Sequence, residues 1–92
     1  MAKIGKYTYI PGNSTVVVSD IPCTLISVNI NNQGSGGNTL TIYDNTSASG
    51  TPMAVIDTSE AKDTINYSCI MKVGCTAVLA TGTTANITIV TG

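Results

Sequence analysis

The sequence predicts an all-β fold, a small antiparallel sandwich or barrel of about seven or eight strands. Three observations carry that expectation. Apolar residues recur with period two rather than 3.6, as in Thr39-Leu40-Thr41-Ile42-Tyr43 and Asn86-Ile87-Thr88-Ile89-Val90. β-Branched side chains fill most apolar positions, and they suit a pleated, half-buried surface better than a helix. Clusters of Gly, Pro, Asn, Asp and Ser punctuate the chain, so that strand plus turn repeats every ~8 to 14 residues, the rhythm of a sandwich or small barrel.

The elements follow in order. Lys3 to Pro11 holds half of the lysines and half of the tyrosines and stops at Pro11-Gly12-Asn13, so residues 1–12 are either a docking arm or a first strand. Residues 13–92 then form a single sandwich domain. Ser14 to Ser19 is a β-branched run ended by Asp20-Ile21-Pro22, where proline withholds a ladder donor. Thr24 to Asn31 alternates cleanly, setting Ile26, Val28 and Ile30 on one face against Ser27, Asn29 and Asn31 on the other. Gln33 to Gly37 closes that strand as a flexible hairpin loop. In Thr39 to Asp44, Leu40 and Ile42 oppose Thr39, Thr41 and Tyr43; turn residues from Asn45 to Pro52 lead to a strand at Met53 to Thr58. After the Ser59 to Asp63 turn, Thr64 to Ile70 supplies an apolar row of Ile65, Tyr67 and Cys69. Met71 to Gly74 and Thr81-Gly82-Thr83 bracket Cys75 to Ala80, and Ala85 to Thr91 ends the chain with Ile87 and Ile89 facing inward. These rows make the inner faces of two sheets ~10 Å apart. With no Phe or Trp, the core between them is thin and aliphatic.

Composition excludes more functions than it asserts. The 92 residues include no His and no Arg, and only 10% are charged. Lys3, Lys6, Lys62 and Lys72 are too scattered to make the cationic face that nucleic acid requires, so no direct nucleic-acid binding is expected. No apolar run approaches the ~20 residues of a membrane helix, and no membrane contact is expected. Cys23, Cys69 and Cys75 are odd in number, follow no secretory leader pattern and lack CxxC spacing; they are expected to be reduced and buried. Asp44, Asp57 and Asp63 fall at strand ends and turns, where aspartate satisfies backbone donors rather than serving as acid or base. The Gly-rich loop precedes a strand, not a helix with a phosphate-binding N-terminus. No catalytic residue, metal ligand or cofactor is assigned, and the chain is not expected to be an enzyme.

What remains is contact surface. A surface with so few charges gives little protection against edge pairing and suits a protein that is covered in service. The N-terminal segment has the strongest interaction character, and Ile4, Lys6, Tyr7 and Tyr9 are the candidate contact residues. A second possibility is stacking on sugars by Tyr43 or Tyr67, as in a carbohydrate-binding sandwich module.

Three segments carry a family likeness: Leu25-Ile26-Ser27-Val28-Asn29-Ile30, the run from Gly36 to Thr51 with Tyr43-Asp44-Asn45-Thr46-Ser47-Ala48-Ser49-Gly50-Thr51 at its end, and Ala85-Asn86-Ile87-Thr88-Ile89-Val90. Over Thr24 to Gly92 the chain resembles the small virion proteins of tailed bacteriophages that decorate or cement the capsid or form short head fibres. The resemblance implies a jelly-roll-like sandwich, often a homotrimer, sitting on the capsid exterior and bridging subunits of the major capsid protein. It implies synthesis in the host cytoplasm and a structural role in the virion. A tail, neck or fibre module is the alternative within the same class.

Overall fold

The computed structural model describes residues 5–34, 38–59, 64–80 and 85–92. Eight strands run through them: β1 (Lys6–Ile10), β2 (Ser14–Ser19), β3 (Cys23–Asn32), β4 (Thr39–Tyr43), β5 (Ala54–Asp57), β6 (Thr64–Met71), β7 (Cys75–Ala80) and β8 (Asn86–Thr91). They form two four-stranded sheets, in the orders β1-β8-β3-β6 and β2-β7-β4-β5, with every neighbouring pair antiparallel. Among consecutive strands only β4 and β5 share a sheet, so the chain crosses between sheets at nearly every turn. That order is the double Greek key of a jelly roll. The expected small antiparallel sandwich is therefore the fold, with eight strands.

Lys6–Ile10 belongs to the sandwich and is no appended arm. It pairs with β8 from Lys6 opposite Thr91 to Ile10 opposite Ile87, and Ile10 is wholly buried. Paired residues share a face, so Thr8 and Ile10 point inward with Ile89 and Ile87, while Tyr7 and Tyr9 point outward with Val90 and Thr88.

The core forms where the two inner faces meet. Leu25, Val28, Leu40, Ile42, Met71, Leu79, Ile87 and Ile89 are all buried, and Ile65, Tyr67 and Cys69 pack against them half-covered. Each such aliphatic side chain contributes about 1.5–3 kcal/mol through burial, which is how a core without Phe or Trp holds the sheets together.

One face assignment departs from simple alternation. Between Leu25 and Ser27 the β3 register shifts against both neighbours: Leu25 pairs with Thr91 and Cys69, yet Ser27 pairs with Val90 and Asn66. Ile26 is thus an extra residue in β3 relative to β8, a bulge, and on β6 the matching irregularity includes Ser68 at φ 51°. Leu25, not Ile26, enters the core. Ile26 lies outside, where a Cβ at Gly5 would meet its Cδ1 at 3.4 Å and Val90 Cγ1 at 3.1 Å. A bulge adds one residue and inverts every side chain before it, so a period-two pattern read through it puts Ile26 on the wrong face.

Candidate docking surface

The registers sort the connections between the two ends of the sandwich. Lys6 opposite Thr91, Cys23 opposite Met71, and Ser19 opposite Cys75 place the β2–β3, β4–β5 and β6–β7 connections at one end, with Gly5 and Gly92 beside them. Gly92 is fixed there by two backbone bonds with Thr24, each 2.9 Å.

This end is apolar to a degree that the rest of the described surface is not. Among the described residues seven large hydrophobic side chains are substantially exposed, and five of them, Tyr7, Val17, Ile21, Ile70 and Val73, lie at it; Tyr9 and Val55 lie elsewhere. Tyr7 is 77%, Ile70 74% and Ile21 64% exposed. Between the edges of β1 and β2 the sheets part into a cleft of about 670 Å³, lined among others by Lys6, Tyr7, Val17, Ile21, Pro22 and Thr91.

Built turns hold Ile21 and Val73 outward. Ser19 Oγ donates to Ile21 O at 2.8 Å and accepts from Ile21 N at 3.4 Å, tightening the Asp20–Pro22 turn on which Ile21 stands. In the β6–β7 turn, the Asp44 carboxylate accepts from the backbone N–H groups of Lys72 and Val73, both at 2.9 Å, and of Gly74 at 3.3 Å. Those bonds, Val73 N–H foremost, hold the Asp44 carboxyl below its ordinary value of 3.8. The β4–β5 loop is stitched by its own side chains, with Asn45 Nδ2 donating to Ser49 O at 3.2 Å and Asn45 Oδ1 accepting from Thr46 N at 2.7 Å. Thr76 Oγ1 donates to Asn45 O at 3.0 Å, tying that loop to β7.

The expected contact residues divide. Lys6 and Tyr7 stand at the cleft, Tyr9 lies further along β1 on the broad sheet face, and Ile4 falls outside the described residues. Val17, Ile21, Ile70 and Val73 were not singled out from the sequence. A signal for them existed: Ile21 and Val73 are bulky apolar residues inside turns, and Ile70 is out of phase with Ile65, Tyr67 and Cys69.

The aspartates behave as turn residues. Asp44 caps the β6–β7 turn, and Asp57 Oδ1 accepts from Ser59 N at 2.9 Å and Ser59 Oγ at 2.7 Å; Asp63 lies outside the described residues. Of the two tyrosines considered for sugar stacking, Tyr67 is half-buried against the core, and burial pushes its hydroxyl above the usual value. Tyr43 sits opposite Thr76 on the outer face of the second sheet, half-covered. Cys23, Cys69 and Cys75 are free thiols, and among the described residues no group of three or more His, Cys, Asp or Glu gathers to hold a metal ion. No protein-family model, curated protein or solved structure matches the chain.

Proposed function

We propose that the chain is a structural virion subunit of the tailed-phage kind, which decorates the assembled head and stabilises it by bridging subunits of the major capsid protein. The observation that carries this reading is the apolar end: Tyr7, Val17 and Ile21 line a cleft there, Ile70 and Val73 stand exposed at the same end, and Ser19 and Asp44 brace the turns that carry Ile21 and Val73. Contact area, not side-chain chemistry, then performs the function, and the protein is no enzyme. A standard interface takes ~800 Å² from each partner. That is about a sixth of the 5037 Å² accessible surface, enough for one docking contact with the remainder left for neighbouring copies, a homotrimer included. Binding to the assembled lattice in preference to free coat subunits shifts the balance toward the lattice.

The test is binding to heads. The purified chain, mixed with assembled heads lacking it, should co-sediment at fixed stoichiometry and raise the temperature at which the heads open. Ile21→Asp and Val73→Asp should each abolish co-sedimentation, because either buries an unpaired carboxylate in the contact. Full occupancy by both variants overturns the apolar end as the docking face. Density for the labelled chain on tails rather than heads moves the role to a tail, neck or fibre module.

A further inference from the structure

The broad outer face of the β1-β8-β3-β6 sheet has a chemistry that the apolar end does not use. Beyond Tyr7, Val90 and Ile26 the face turns polar. The register sets Tyr9, Thr88, Asn29 and Thr64 in one row across all four strands. Asn66 stands one row nearer the apolar end, opposite Ser27 at the far edge of the row that Val90 and Tyr7 share, and Asn31 lies alongside, donating through Nδ2 to Thr88 Oγ1 at 2.9 Å. Thr64 Oγ1 donates to Asn29 Oδ1 at 2.9 Å. Each of these bonds orients an amide while using only one end of it. Three strand gaps of about 4.8 Å make the row about 14 Å long. The outward positions of these four strands, all among the described residues, include no Asp, Glu or Lys.

Ligand classes fall away on that chemistry. A polyanion needs cations to displace its counterions, and the face has none. An apolar protein surface laid over the row would strand the amides of Asn29, Asn31 and Asn66 without partners, at about 1–3 kcal/mol for each group so buried. A neutral polyol does neither: its hydroxyls both donate and accept, and its ring C–H face suits an exposed aromatic ring. We propose that this half-face binds a neutral polysaccharide, with the half-exposed ring of Tyr9 stacking on a sugar and the Asn29, Asn31 and Asn66 amides taking its hydroxyls. This polysaccharide site is separate from the docking end: the two share no side chain, and loss of either leaves the other standing.

Affinity electrophoresis of the full chain through gels containing a galactomannan, a xyloglucan, a mixed-linkage β-glucan or dextran tests it. At least one polysaccharide should retard the chain, equally in low and high salt. Tyr9→Ala and Asn29→Ala should each weaken the retardation at least about tenfold, about 1.4 kcal/mol of binding, while Tyr9→Phe and Tyr7→Ala retain it. Asn66→Ala, at an exposed, outward-facing position on an edge strand, should weaken it with an unchanged melting temperature, separating lost contact from lost fold. No retardation by any of the four polysaccharides, retardation abolished by salt, or retardation indifferent to Tyr9→Ala, Asn29→Ala and Asn66→Ala overturns the proposal.

Discussion

The Asp44 carboxylate, just past the end of β4, accepts the backbone N–H of Val73 at 2.9 Å across 29 residues of sequence. Lys72 and Gly74 add two more donors to the same carboxylate. The β6–β7 turn thus depends on the first residue of the β4–β5 connection. Asp44→Ala should destabilise the fold by ~1 kcal/mol, because it removes charge-assisted bonds that solvent partly replaces. The sign with pH follows from the lowered carboxyl value. A carboxyl held below its unfolded value stabilises fully above that value, 3.8, and the contribution is lost as the pH falls through the lowered one. The difference in melting temperature between the native chain and Asp44→Asn should therefore be constant near neutrality and shrink only below about pH 4. A gap that persists unchanged to about pH 2 would remove the carboxylate as its source.

Gly74 closes the same turn from the other side. A Cβ placed on it would meet Ser19 O at 2.7 Å, Asn45 O at 3.1 Å and Thr46 Cγ2 at 3.2 Å. Two of those atoms are backbone, so three connections at the apolar end would have to move apart together. Gly74→Ala should cost about 2–3 kcal/mol, a fall in melting temperature on the order of 10 °C. Gly12→Ala, with open space around its Cβ, is the control and should melt within about 2 °C of the native chain. Equal melting of the two variants would show that the turn is looser than its contacts imply.

The bulge in β3 gives a sharper contrast, because adjacent residues of similar size sit in opposite environments. Leu25 is fully buried and Ile26 is on the outer face beside Val90. Leu25→Ala should cost about 2–5 kcal/mol, and Ile26→Ala less than about half of that. Chemical denaturation of the two variants reads the difference directly. A larger loss for Ile26→Ala would restore unbroken alternation and put the bulge elsewhere.

That contrast also marks where sequence reasoning stopped. Alternation located β2 and β7 to the residue and placed Leu40, Ile42, Ile87 and Ile89 correctly, because one face of each strand is buried and the side-chain period is two. It failed at Ile26, since the bulge arises from pairing with β6 and β8 at once and leaves no local mark on an otherwise regular run. The sheet orders were not legible from periodicity for the same reason: they rest on pairings such as Lys6 with Thr91 that span the whole chain. Of the residues at the apolar end, Lys6 and Tyr7 stand out in the sequence by composition, whereas Ile21 and Val73 stand out only when Ser19 and Asp44 are seen bracing the turns that carry them. The structure also changes how the N-terminal segment should be probed. Removing residues 1–10 would delete an edge strand and uncover β8, so point substitutions at Tyr7 and Tyr9 are the informative variants.

The thiols supply a last prediction, read in the alkaline range. Cys75 is fully buried, and burial pushes its thiol up to about 12, with Cys23, Asp44 and Cys69 nearby adding to the cost of a thiolate. The thiolate is the reactive form, so Cys75 should resist an aromatic disulfide reagent in the native state and react only on unfolding. Denaturant should release three reactive thiols per chain, in keeping with three free cysteines. A thiol held above its unfolded value of 9.0 stabilises fully below that pH, and the stabilisation declines as the pH rises toward 12, because the unfolded chain gives up the proton first. The melting temperature should accordingly begin to fall above about pH 9, and Cys75→Ala, which removes the titrating group, should flatten that alkaline limb even though the cavity lowers stability at neutral pH. Rapid labelling of Cys75 in the native protein, or an alkaline limb identical in the variant, would show that this thiol is not sealed in the core.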